Sequence, residues 1–117
     1  MNDGAQTPGD NGTLAAVALD QEGFLRDLAD WTPELAALLA RAEGIDLSTR
    51  HWEILEIARD YYARFGISAS MRVLVGQVKK QLGADKGRSL HLMLLFPDRP
   101  ARKISRIAGL PKPLNCD

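Results

Sequence analysis

The chain is predicted to fold as a mainly α protein with a minor β part: a small orthogonal helical bundle with an N-terminal β-hairpin, a helix-turn-helix-like portion and an extended C-terminal arm. Three observations predict it. Five stretches space their apolar residues as helices do, and each is bounded by residues that start or stop helices. Only one stretch, Leu14 to Leu25, has the pattern of two short strands about a turn. At 117 residues the chain can bury one core, and its single cysteine cannot close an internal disulfide, so packing must supply the stability.

Residues 1–13 are rich in Gly, Asn, Asp and Pro and nearly free of apolar side chains, so they are expected to form a disordered tail. One domain then spans residues 14–109. Leu14 to Leu19 is almost continuously apolar, Asp20-Gln21-Glu22-Gly23 supplies turn chemistry, and Phe24-Leu25 resumes the apolar run, which gives the hairpin. Thr32 can cap the first helix, with Pro33 at its first position, Leu35, Leu38, Leu39 and Ala42 on one face, and Gly44 as the stop. Ser48 can cap a longer second helix striped by Ile54, Ala58, Tyr61 and Phe65, widened by Trp52, Leu55 and Tyr62, and ended by Gly66.

A third helix starts at Ser70 and carries Met71, Leu74, Val75, Val78 and Leu82 inward until Gly83, with Arg72, Lys79 and Lys80 on its other face. Ser89 to Phe96 reads as a short apolar helix closed by Pro97, although its length also suits a strand. Asp98 can cap a last helix through Ala108, with Ala101, Ile104 and Ala108 inward and Gly109 as the stop. Residues 110–117 contain Pro111 and Pro113 and are expected to be an extended, mobile arm rather than a packed element.

Composition excludes several classes of function. The apolar runs, such as Leu14 to Leu19 and Leu92 to Phe96, are far short of a membrane span, and the N-terminus has no signal-peptide pattern, so the expected compartment is cytoplasmic, with no membrane partner. His51 and His91 stand apart without metal-ligand spacing, and the glycines form no phosphate-cradling motif. Acidic pairs such as Glu53 and Glu56, or Glu43 and Asp46, have the spacing of solvated helix faces. Zero net charge hides an asymmetry: residues 1–70 hold five cations against twelve carboxylates, and residues 71–117 hold ten against three. That dipole could steer an acidic partner, unless the fold interleaves the halves and cancels it.

Cys116 remains as the chemical candidate. A lone cysteine is commonly an inert buried hydrophobe, but a proline-stiffened polar arm offers it little apolar surface. Asp117 and the terminal carboxylate raise its pKa, whereas Arg99, Arg102, Lys103, Arg106 and Lys112 lower it if the arm folds back toward them. Arg102, Lys103, Arg106 and Lys112 are accordingly candidate partner-docking residues. A regulator binding DNA through the second and third helices is the alternative from another class.

Asp30-Trp31, Glu43-Gly44-Ile45, His51-Trp52-Glu53, Tyr61-Tyr62, Met71-Arg72, Leu95-Phe96-Pro97, the run Ile107 to Pro113 and Cys116-Asp117 together resemble the DsrC/TusE family. The resemblance covers nearly everything after the tail, and its most specific piece is IAGLPKP leading to a penultimate cysteine. It implies a sulfurtransferase-type carrier that holds a transient persulfide on Cys116 and uses no metal or organic cofactor. DsrC proper has a second cysteine eleven positions upstream, where this chain has Ser105, so the resemblance is to the single-cysteine, TusE-type branch. The partners implied are a donor similar to TusBCD or DsrEFH and an acceptor similar to the tRNA 2-thiouridylase MnmA, with tRNA met only indirectly. A DsrC-like role in dissimilatory or oxidative sulfur metabolism is the alternative within the family.

Overall fold

A computed structural model describes residues 14–114, so the predicted tail and Cys116 lie outside the described residues. Five α-helices follow two short 3-10 turns at Leu14–Ala16 and Leu28–Asp30. They are α1 (Pro33–Ala42), α2 (Thr49–Phe65), α3 (Met71–Leu82), α4 (Ser89–Leu95) and α5 (Pro100–Ile107).

Local chemistry sets most of the boundaries. Thr32 accepts a hydrogen bond from the Leu35 N–H at 3.0 Å, with Pro33 inside the first turn, so α1 begins where a free donor meets a hydroxyl. At the start of α2, His51 Nδ1 accepts from the Ser48 N–H at 3.0 Å. That contact leaves the ring proton on Nε2, which donates to the Leu95 carbonyl at 2.8 Å and ties α2 to the end of α4. Gly66, at φ 73°, ends α2 in the left-handed region that glycine enters without steric cost.

The helix α2 is the hub, touching α3, α4 and α5, while α1 lies against α5. Ile54, Leu55 and Ala58 from α2, Leu39 from α1, Leu74 and Val78 from α3, Leu92 and Phe96 around α4, and Ala101, Ile104 and Ile107 from α5 form the core. Every one of them is at most 2% exposed. At about 25 cal/mol per Å² of apolar surface removed from water, each large side chain in that set contributes about 1.5–3 kcal/mol.

Three expectations are corrected. The hairpin does not form a ladder: Leu14–Ala16 is a 3-10 turn, and a single antiparallel bridge joins Leu19 to Leu25. Phe24 and Leu25 are consecutive yet both buried, which breaks the in-and-out alternation a strand needs. The turn is held by Asp20, whose carboxylate accepts from the N–H groups of Glu22 and Phe24 at 2.8 and 2.9 Å. Asp98 does not cap α5; it and Arg99 take φ values of 63° and 61°, and Arg99 occupies the cap position before Pro100. Proline disfavours helical geometry in the residue before it, so the reversal is completed there. Phe65, expected in the inner stripe of α2, is 56% exposed.

Candidate functional site: the seat of the C-terminal segment

The segment after α5 is extended, as its prolines require, yet it is packed from its root to Pro113 rather than standing free. Leu110 and Pro113 are buried, and the Leu110 N–H donates to the Ser105 carbonyl at 2.9 Å. Gly109 takes φ 74°, and a Cβ built there would lie 2.2 Å from Trp31 Cδ1. The indole therefore lies directly against the backbone at the end of α5, where only glycine fits. Trp31 Nε1 donates to the Ile107 carbonyl at 2.9 Å, and Arg59 donates to the Ala108 carbonyl at 2.6 Å. The Arg59 guanidinium also sits 3.7 Å from the centre of the Trp31 ring, a cation–π contact. Burial lowers the pKa of Arg59 below its ordinary value, and an arginine so shifted keeps its charge.

A cavity of about 410 Å³ opens beside this clamp, lined by Trp31, Pro33, Trp52, Leu55, Glu56 and Arg59. Further along, the Ser68 hydroxyl donates to the Pro111 carbonyl and Lys112 pairs with Glu22 at 2.7 Å, so the segment crosses the α2–α3 turn. Leu114 is 91% exposed and overhangs two shallow grooves lined by Tyr61, Tyr62, Ile67, Ser68, Ser70 and Val73. Leu114, the last described residue, thus stands at the corner between α2 and α3.

The four candidate docking cations are all engaged by the protein itself, three of them at Glu22 and Gly23. Arg106 donates to the Gly23 carbonyl at 2.8 Å and pairs with Glu43 at 2.6 Å, with its side chain only 12% exposed. Arg102 donates to the Glu22 carbonyl at 3.4 Å and lies 3.8 Å from the Glu22 carboxylate. Lys103 donates to the Pro97 carbonyl, which braces the Asp98–Arg99 reversal. A hydrogen bond from Lys112 and the charges of Lys112 and Arg102 hold the Glu22 carboxyl below its ordinary pKa, against an opposing desolvation. Arg102 and Arg106 fasten α5, and Lys112 the C-terminal segment, to the Asp20–Gly23 turn; Arg106, most deeply placed, is an internal tie.

The fold does interleave the two halves. Lys86–Glu53, Arg102–Glu22, Arg106–Glu43 and Lys112–Glu22 each join a cation from the basic half to a carboxylate of the acidic half. Neither histidine has a metal-ligand set: His51 is spent on Ser48 and Leu95, and no group of three His, Cys, Asp or Glu side chains among the described residues could hold an ion. Arg72, Lys79 and Lys80 are exposed on α3. The α2–α3 turn of the helix-turn-helix-like portion is engaged at Ser68, whose hydroxyl donates to the Pro111 carbonyl. Sequence reasoning left Arg59 without a role and placed Trp31 only within a motif; the Gly109 they enclose was legible as a stop, and an aromatic partner seventy-eight positions away was not.

No described helix is long and apolar enough to cross a membrane. The fold and the site define a class: a small helical protein whose proline-rich C-terminal segment is seated on the body and leads to the chain's one thiol. The DsrC-like protein family matches residues 13–116, and the chain belongs to that family. It is 42% identical over 100 residues to the sulfurtransferase TusE of Escherichia coli (strain K12), across 86% of this chain and 92% of that protein. The TusE of Salmonella typhimurium is 41% identical over the same span. Among solved structures, Allochromatium vinosum DsrC superposes with a TM-score of 0.78 at 42% identity, covering 86% of this chain and 90% of that one. The oxidized gamma-subunit of the dissimilatory sulfite reductase (DsrC) of Archaeoglobus fulgidus gives 0.75 at 38% identity, covering 86% and 92%.

Proposed function

We propose that this protein is a sulfur-relay carrier that accepts a sulfane sulfur on Cys116 and passes it to an acceptor protein, serving wobble 2-thiouridine synthesis in tRNA. The observation that carries the reading is that the family match runs to the penultimate residue, which is the only cysteine in the chain. The Cys116 thiolate attacks the outer sulfur of a donor persulfide; the S–S bond of the donor breaks, its thiolate leaves, and Cys116 becomes the persulfide. An acceptor thiolate then attacks the outer sulfur on Cys116 and releases the Cys116 thiolate. Sulfur moves without net oxidation or reduction, so the exchange calls for no metal or organic cofactor.

The donor resembles TusBCD or DsrEFH and the acceptor resembles MnmA, so tRNA is reached only through the acceptor. Incubation with a persulfide donor is expected to add one sulfur to the intact mass, and Cys116→Ser is expected to abolish the gain. Sulfur retained in that variant overturns the assignment. A second reading, a sulfur carrier in dissimilatory or oxidative sulfur metabolism, is favoured by the DsrC identity of the solved relatives. Ser105, fully buried where DsrC proper resembles a two-cysteine protein, weighs against an internal disulfide cycle in either role. Deleting the protein and measuring 2-thiouridine in tRNA separates the two: a fall supports the first, unchanged thiolation the second.

A further inference from the structure

One surface takes no part in seating the C-terminal segment. Leu90, Met93 and Leu94 on α4 are 55%, 50% and 71% exposed, and their spacing places all three on one helix face. The opposite face is anchored by Leu92, which is fully buried. Three large aliphatic side chains side by side on so short a helix form a patch rather than the scattered exposure normal for a surface.

The flank of this patch is positively charged. His91, between Leu90 and Leu94, is held below its ordinary pKa first by burial and then by the charges of Lys86, Arg50 and Arg88, opposed only by Glu53. Lys86 is paired with that same Glu53 at 2.9 Å, which leaves Arg50 and Arg88, both exposed, to set the sign of the rim. Lys79 at the end of α3 adjoins it, because a Cβ on Gly87 would lie 2.2 Å from the Lys79 side chain.

We infer that the apolar face of α4, with its rim of Arg50, Arg88 and Lys79, is the surface on which the sulfur donor protein docks through an aliphatic patch edged by carboxylates. The inference rests on the sulfur-relay reading above. The rim selects among occupants. A second copy related by a two-fold axis would bring Arg50 and Arg88 against their own equivalents. Nucleic acid would cover three aliphatic side chains with nothing apolar to receive them. An acceptor that handles tRNA must present cations to phosphates, and those cations would repel this rim. The donor is under no such constraint.

Position supports a division of labour. Arg50 and His51 stand at the first turn of α2, whereas Ser68, which binds Pro111, lies just beyond its last turn. At 1.5 Å per residue the two ends are about 22 Å apart. The docking face and the seat of the C-terminal segment are therefore separate places, and substitution can separate them.

The test uses the full chain, the purified TusBCD-type donor and the MnmA-type acceptor, and two variants: Leu90→Ser/Met93→Ser/Leu94→Ser, and Arg50→Glu/Arg88→Glu. Both variants are expected to weaken donor binding by at least about tenfold, the charge-reversed one less so as salt is raised. Acceptor binding and the loading of Cys116 by inorganic polysulfide are expected to stay as in the unaltered chain. Unchanged donor affinity in both variants overturns the surface, as does a loss confined to the acceptor. Binding to vesicles of anionic phospholipid, or self-association, that the variants abolish while donor binding persists assigns the face elsewhere and overturns it too. If the unaltered chain is loaded neither by the donor nor by polysulfide, the sulfur-relay reading itself fails and the docking inference with it.

Discussion

At the scale of single residues, the stability of the C-terminal seat depends on what touches what. Gly109→Ala must both hold a left-handed backbone, at a cost of about 1–2 kcal/mol, and displace the Trp31 indole it would strike. We expect a loss of about 2–4 kcal/mol in urea unfolding, whereas an alanine at Gly66, with open space around it, should cost only the backbone strain. His91 gives a pH signature. Its Nε2 is buried with no hydrogen-bond partner among the described residues, and its folded pKa lies below the ordinary 6.5. The unfolded chain therefore takes up a proton first, so stability conferred by neutral His91 is full above that value and is lost as pH falls through it toward the folded value. Denaturation followed across that window should show the slope, and His91→Gln should flatten it.

At the scale of elements, caps and ties can be weighed against one another. Thr32→Ala removes the oxygen that receives the Leu35 N–H and should cost about 1 kcal/mol. Arg106→Met strands Glu43, 17% exposed, beside the Gly23 carbonyl it leaves unpaired, and should cost about 3 kcal/mol by thermal melting. Paired with Glu43→Gln, the double variant should lose less than the sum of the two single ones. These two cases also mark what was legible. Thr32 and Pro33 announced α1 because an N-cap is a local contract between residues three apart. The work of Arg106 was not legible, since a cation in a basic stretch looks solvated until the acidic turn from the other end of the chain is set against it. The hairpin failed for the same kind of reason: Phe24 and Leu25 both turn inward to meet elements that a local pattern does not see.

At the scale of the whole molecule, the charge asymmetry is a folding device. The two halves carry net charges of −7 and +7, and among the described residues four ion pairs bind one half to the other. The three more exposed pairs, all but Arg106–Glu43, contribute about 0.2–1 kcal/mol each and are screened by salt. Raising ionic strength from about 0.01 to 1 M shortens the Debye length from about 30 to 3 Å. The thermal midpoint should fall by about 5 °C over that range, and a rise or no change would show that the pairs contribute nothing net. Of the candidate site, Cys116 is singled out in the sequence by its position and its solitude and lies outside the described residues, while the seat of the chain leading to it was not legible at all. That seat joins Trp31 to Gly109 and Glu22 to Lys112, separations that no spacing rule reaches.

The clamp on the root of the last segment fixes how far a cargo can travel. With Leu110 to Pro113 bound down, Cys116 is three residues past the last seated position, a reach of at most about 11 Å of extended backbone. A leash that short makes the protein a fixed berth rather than a swinging crane. On the sulfur-relay reading proposed above, a partner must bring its own thiol within that reach of Pro113, and one whose thiol is recessed more deeply than the leash is long can be served only if the seat itself lets go.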